Sequence, residues 1–205
     1  MTIRLGVLAS GNGSNLQAIL DAIARGDLDA RCELVLTNRP HAYAIERAKK
    51  AGVRTCVLDH TTFSRRQEFD QAAATALHEA GVQWVALAGF MRVLSASFLN
   101  AFQGRVVNIH PSLLPAFPGV NAQKQAFDYG VKLAGCTVHF VDGGVDSGPI
   151  ILQRCAPRLD DDTLEQLKAR ILKQEHLAFV EALQLIASGQ VTASSGERHI
   201  KTGTI

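Results

Sequence analysis

The chain has 205 residues, 47% of them hydrophobic and 20% charged, with a formal net charge of +2. A chain of this size buries about 70% of the surface its unfolded form exposes, so one sizeable core is within reach. The weak positive balance and the lack of any long basic run argue against a nucleic-acid partner. Cys32, Cys56, Cys136 and Cys155 form no Cys-x-x-Cys pair, which argues against a zinc or redox motif and predicts reduced thiols and no metal. No segment approaches the ~20 apolar residues of a membrane helix, and the N-terminus has no signal-peptide pattern, so a cytoplasmic protein is expected.

Residues 3–9 are a short apolar run bounded by glycines and predict a buried strand. Leu16, Ile19, Leu20 and Ile23 then form the stripe of an amphipathic helix, with Ser14 and Gln17 at capping-box spacing and Gly26 as its stop. The pattern repeats as a strand near 33–37, a helix near 42–50, a short strand near 55–58, a helix near 67–80 and a strand over 84–88. A strand at 105–109 precedes a loop containing Pro111, Pro115 and Pro118, and a helix near 122–129 stops at Gly130. Residues 133–141 and 149–156 read as an antiparallel pair of strands, and a long helix covers about 163–187. The segment 188–205, rich in Ser, Thr and Gly, reads as a loose tail. Strands alternating with helices imply one α/β domain, with a doubly wound, mostly parallel sheet and helices on both faces.

Ser10-Gly11-Asn12-Gly13-Ser14-Asn15 falls between the first strand and the first helix. Free N–H groups and the dipole make a helix N-terminus an anion site, and glycine lets the anion come close. Leu16 stands where a dinucleotide fingerprint needs its third glycine, and the Gly-Lys-Ser/Thr ending of a P-loop is missing, so a single phosphate fits best. The alternative is a plain tight turn with Ser14 as N-cap. Asn108 and His110 end an apolar strand two residues apart, so both face one way. Ligands of open α/β sheets bind beyond the carboxyl ends of the strands, which favours a functional over a structural reading of the pair. A carboxylate near His110 favours the imidazolium. Asp142 and Asp146, in the glycine-rich stretch 142–149, can each supply it, and spacing does not choose between them.

The run Asn108-Ile109-His110-Pro111-Ser112-Leu113-Leu114-Pro115 resembles the signature of the formyltetrahydrofolate-dependent transferases. Residues 10–15, 87–92, 138–141 and 174–176 resemble the branch that formylates glycinamide ribonucleotide, and the likeness spans about residues 3–180. It implies a Rossmann-like formyltransferase fold and formyl transfer from 10-formyltetrahydrofolate, as co-substrate, to a phosphoribosyl amine in purine biosynthesis. It assigns Asn108 to the formyl oxygen, His110 as general acid and Asp146, which precedes Ser147-Gly148-Pro149, as the group that orients His110. It places the ribose phosphate at Gly13, Ser14 and Asn15, and the glycinamide portion at Glu175. The folate site would comprise Met91, Arg92, Val93 and Leu94, the loop Asp142, Gly143, Gly144 and Val145, Asn108 itself, and Arg66 with Arg65 as the alternative register. Where relatives carry histidines after Pro118-Gly119, this chain has Asn121-Ala122-Gln123.

Glu175 also stands out by position, because it interrupts the apolar stripe Leu164, Leu167, Ile171, Ala178 and Ala182 of the last helix. It either reaches water at the stripe's edge or needs a buried partner. The expected partners are small molecules, with neither nucleic acid nor membrane, and a monomer or homodimer. The rivals are a formyltetrahydrofolate hydrolase, a tRNA formyltransferase with an added basic domain, and a noncatalytic nucleotide-binding module that would leave Asn108, His110 and Asp146 idle.

Overall fold

The structure is a computed structural model that describes residues 2–191. Seven strands form one sheet in the order β3-β2-β1-β4-β5-β6-β7. The parallel part comprises β1 (Ile3–Ala9), β2 (Ala30–Thr37), β3 (Thr55–Val57), β4 (Trp84–Leu87) and β5 (Val106–His110). β6 (Leu133–Phe140) and β7 (Ile150–Pro157) extend it as an antiparallel pair, as their sequence spacing suggested.

Helices cover both faces, and two apolar clusters record it. α1 (Ser14–Arg25), α2 (Ala44–Lys50) and the 24-residue α6 (Leu164–Ala187) bury Leu16, Ile19, Leu167, Ile171 and Phe179 against one face. α3 (Arg66–Glu79) and α4 (Ala96–Ala101) bury Phe69, Leu77, Phe98 and Phe102 on the other. α5 (Ala122–Tyr129) follows the proline-rich loop. Among the described residues no helix is long and apolar enough to cross a membrane.

Four sequence expectations change. The six-residue α4 was not foreseen, because a helix that short shows little more than one apolar period and is held by Phe98 and its neighbour Phe102. β2 starts at Ala30 instead of 33, since the charged Arg31 and Glu33 hid its first half; Glu33 is buried beneath Arg4, Arg31 and Arg54. The segment 188–191 is not loose: Gly189 and Gln190 donate N–H bonds to Ile186 and Leu185, and Val191 packs into the core. The rest of the expected tail, 192–205, lies outside the described residues.

The fourth change concerns the glycine loop. Gly13, not Ser14, is the residue before the helix; it sits at φ 73° and no side chain caps the end. Its carbonyl takes the Gln17 N–H at 2.9 Å, so the capping-box expectation fails and the N–H groups of the first turn stay without intrahelical partners. The helix runs hard against α2 here. A Cβ on Gly13 would lie 2.8 Å from Ala44 Cβ and 2.9 Å from Ala44 Cα. Gly13→Ala therefore combines a left-handed backbone with a clash, and should cost about 1–3 kcal/mol of stability in a urea unfolding curve. A variant within ~0.3 kcal/mol of wild type would mean the loop relaxes freely.

Candidate active site

In this sheet the chain reverses direction of travel between β1 and β4, and the loops that leave β1, β4 and β5 gather at one edge. That edge is where ligands of doubly wound folds bind. Asn108 and His110 stand there on β5, projecting to the face opposite Val107 and Ile109, which join the α1/α6 core. His110 is 5% exposed. The 141–149 loop folds back over this face, with Gly148 pressed so tightly on Phe140 that a Cβ would meet its carbonyl at 1.8 Å.

This fold-back decides between the two aspartates. Asp146 brings Oδ2 to 3.3 Å from His110 Nδ1 and Oδ1 to 3.7 Å from His139 Nε2. Asp142 turns the other way, accepting bonds from the Gly144 N–H at 3.0 Å and the Ser147 hydroxyl at 2.7 Å. Asp146 holds its place at φ 51°, with Oδ2 also taking the Gly119 N–H at 2.8 Å. Burial pushes its carboxyl up, but the bonds from His139 and Gly119 and the charges of the two histidines outweigh this and hold it below the usual carboxylate range.

The hydrogen bonds also set the protonation pattern. The Phe117 carbonyl lies 2.9 Å from His110 Nε2 and can only accept, so Nε2 carries a proton, while Nδ1 faces the Asp146 carboxylate. His139 donates from Nδ1 to the Phe140 carbonyl at 2.8 Å, and its Nε2 lies 3.1 Å from Asn108 Nδ2 and 3.7 Å from Asp146 Oδ1. Asn108 is thus oriented by a histidine that carries no site role in the sequence reading. Its signal lay in the register, since Asn108 pairs directly with His139 across β5 and β6. That pairing is invisible until the strands are matched.

At the glycine loop, Asn15 is buried and donates from Nδ2 to Glu175 Oε2 at 2.8 Å, while its Oδ1 is buried without a partner. Glu175 is 6% exposed, so it does not stretch to water. Burial pushes its carboxyl above the ordinary range, and the Asn15 bond offsets only part of this. A carboxyl raised in the folded state supports folding fully below its unfolded value and loses that contribution as pH rises through the folded value. Glu175→Gln keeps an acceptor for Asn15 and removes the ionisation. Its melting temperature should exceed wild type by a few degrees at neutral pH, the gap closing toward pH 4; an equal or lower value at pH 7 would show that the charge is satisfied.

Arg47 is a second residue missed in the sequence. From α2 it donates to the Asn12 carbonyl at 2.8 Å, Asn12 Oδ1 at 2.9 Å and Gln17 Oε1 at 3.1 Å, bracing the glycine loop from outside. No periodicity signals such a contact, which depends on α2 packing across α1. A groove of about 940 Å³ runs from Ser14, Arg47 and His176 along α1 and α6, separate from His110.

The loop after β4 exposes Met91 and Val93, and the 141–149 loop exposes Val145. Arg92 lies over the Phe69 ring at 4.7 Å, and Leu94 is buried. Gly143 and Gly144 are exposed beside Asp142. Arg66 opens α3 and is exposed, whereas the Arg65 N–H is tied to Glu68 Oε2 at 3.3 Å. Among the described residues no three His, Cys, Asp or Glu side chains are grouped so as to hold a metal ion.

A formyl transferase family model matches residues 3–183. A phosphoribosylglycinamide formyltransferase of Bacillus subtilis is 43% identical over 84% of this chain and 89% of its own length. The Escherichia coli protein of the same name is 39% identical over 90% of this chain and 87% of its own. The trifunctional purine biosynthetic protein adenosine-3 of Drosophila melanogaster is 48% identical over 93% of this chain, which spans only 14% of that larger protein. The crystal structure of glycinamide ribonucleotide transformylase 1 from Symbiobacterium toebii superposes with a TM-score of 0.95 at 49% identity, covering 98% of this chain and 94% of the other. A sheet of this order, carrying the Asn108, His110 and Asp146 group at its carboxyl edge, and these matches over most of the chain lead to one conclusion: the chain belongs to the formyl transferase family.

Proposed function

We propose that this enzyme transfers the formyl group of 10-formyltetrahydrofolate to the amine of glycinamide ribonucleotide, in the cytoplasm and as a step of purine biosynthesis. The observation that carries the reading is the convergence of Asn108, His110 and Asp146 on one face of β5, at the same carboxyl edge of the sheet as a helix end left free to take an anion. The unpaired first-turn N–H groups at Gly13, Ser14 and Asn15 suit the ribose phosphate. Asn15 Oδ1, buried and without a partner, and Glu175 beside it offer acceptors to an amine-bearing group. The exposed apolar side chains of Met91, Val93 and Val145 suit a flat aromatic co-substrate, which Arg92, Leu94, Asp142, Gly143 and Gly144 would help enclose, with Arg66 at its anionic end.

When bound, the folate supplies the formyl carbon. The chain's own residues hold it and handle charge and protons. Asn108, fixed by His139, is placed to donate an N–H to the oxygen on which negative charge develops; one such donor is typically worth ~10²–10³ in rate. His110, with Nδ1 held beside Asp146, is the proton carrier of the group, and the carboxylate stabilises the ring while it is protonated. Holding the two substrates side by side accounts for much of the remaining acceleration. The test is turnover of 10-formyltetrahydrofolate by the purified protein with and without glycinamide ribonucleotide. Folate product that forms only with the amine supports the transfer; equal turnover without it would mean a hydrolase, and no turnover would sink the reading.

A further inference from the structure

We propose that Ser10 is a positioning residue that couples the ribonucleotide loop to the wall of the folate site; this rests on the function proposed above. Ser10 is 3% exposed and directly follows β1, immediately before Gly11. Its N–H donates to the Gly89 carbonyl at 3.1 Å. Its hydroxyl accepts the Met91 N–H at 2.8 Å and donates its one proton to Asn38 Oδ1 at 2.6 Å. Asn38 is 2% exposed and lies just beyond β2, where its own carbonyl meets His60 Nδ1 at 2.8 Å. With the hydroxyl proton taken by Asn38, the Ser10 oxygen faces Met91 as an acceptor alone.

The far end of the same loop is held in the same manner. The Ser95 N–H donates to Oδ2 of Asp70, a fully buried carboxylate on α3, at 2.6 Å. Residues 91–95 therefore hang between two buried side-chain acceptors, and Met91 and Val93 between those anchors are 64% and 50% exposed. An exposed loop of this kind loses conformational freedom each time it closes on a ligand, and anchors that order it beforehand reduce that cost. Ser10 adds register. It belongs to the chain that leads into the phosphate loop and grips the Met91 backbone, so it orders this wall of the folate site against the phosphate loop before folate binds.

The test compares wild type with Ser10→Ala in three readouts: KM and kcat, calorimetric affinity for a folate analogue with no transferable formyl group, and amide exchange of residues 89–95. The variant should raise the KM for 10-formyltetrahydrofolate and weaken the analogue about five- to tenfold, with kcat at saturation changed less than about threefold. Exchange over 89–95 should accelerate in the free enzyme. A folded Ser10→Ala with unchanged folate KM and unchanged exchange overturns the proposal, as does a loss confined to kcat. Should Ser10→Ala not fold, the nearly isosteric Ser10→Cys, a weaker acceptor, carries the same expectations. A wild-type enzyme that fails to bind the analogue would overturn the proposed function itself, and would do so before any variant is compared.

Discussion

His110→Ala should lower the rate of formyl transfer by about 10²–10⁴ while both substrates still bind, because the substitution removes the side chain we propose as the proton carrier. The hydrogen-bond pattern makes the expectation specific. His110 Nε2 is held by the Phe117 carbonyl and Nδ1 stands 3.3 Å from Asp146, so the ring is fixed at both nitrogens and its loss leaves no nearby substitute. His139 cannot take over: one of its nitrogens is committed to the Phe140 carbonyl and the other to Asn108. The measurement is single-turnover transfer alongside equilibrium binding of each substrate. A variant that keeps more than about a tenth of the wild-type rate would remove His110 from the role of general acid. If the rate and both affinities fall together, His110 is holding the site in shape and the chemical role fails.

Asp146→Asn should lower the rate by a similar ~10²–10⁴, since an amide behind a working imidazole holds neither its charge nor its tautomer. The carboxylate engages three groups at once: His110 Nδ1, His139 Nε2 and the Gly119 N–H. An asparagine can keep an oxygen toward Gly119, but it no longer stabilises a protonated ring. The alkaline limb of the rate profile should therefore move to lower pH in the variant. On the acid side the sign is opposite. The Asp146 carboxyl is held below the usual carboxylate range, so its pairing is fully present above the unfolded value of about 3.9 and is lost only as pH falls through the depressed folded value. Wild type should show that acid loss of stability and the variant should not. An Asp146→Asn enzyme with an unshifted rate profile would mean that Asp146 serves only as an acceptor for Gly119.

The residues that define the fold were legible because their signals are local. Alternation of apolar runs with stripes such as Leu16, Ile19 and Leu20 needs only the backbone periods of strand and helix, and it led directly to a parallel sheet with two covered faces. Asn108 and His110 were legible for the same reason, since a period of two at a strand's end puts both on one side. What failed locally failed for physical causes. Ser14 looked like a cap, but Gly13 adopts the left-handed turn against Ala44 and no side chain closes the helix end. The tail reading stopped at Ala187, yet Val191 is carried back into the core.

By itself the sequence determined the α/β pattern, the glycine loop at a helix start, the polar pair at the end of β5 and the place of Glu175 on the apolar stripe of the last helix. Spacing left open which aspartate meets His110, and the tertiary structure decided it, as it decided that His139 orients Asn108, that Glu175 is buried with Asn15 as its partner, and that Arg47 braces the loop from α2. The division follows from sequence distance. Glu175 meets Asn15 across 160 positions and Asn108 meets His139 across 31, and contacts of that span depend on strand order and on how a loop folds back. Periodicity reports which face a side chain occupies; packing alone determines what it faces.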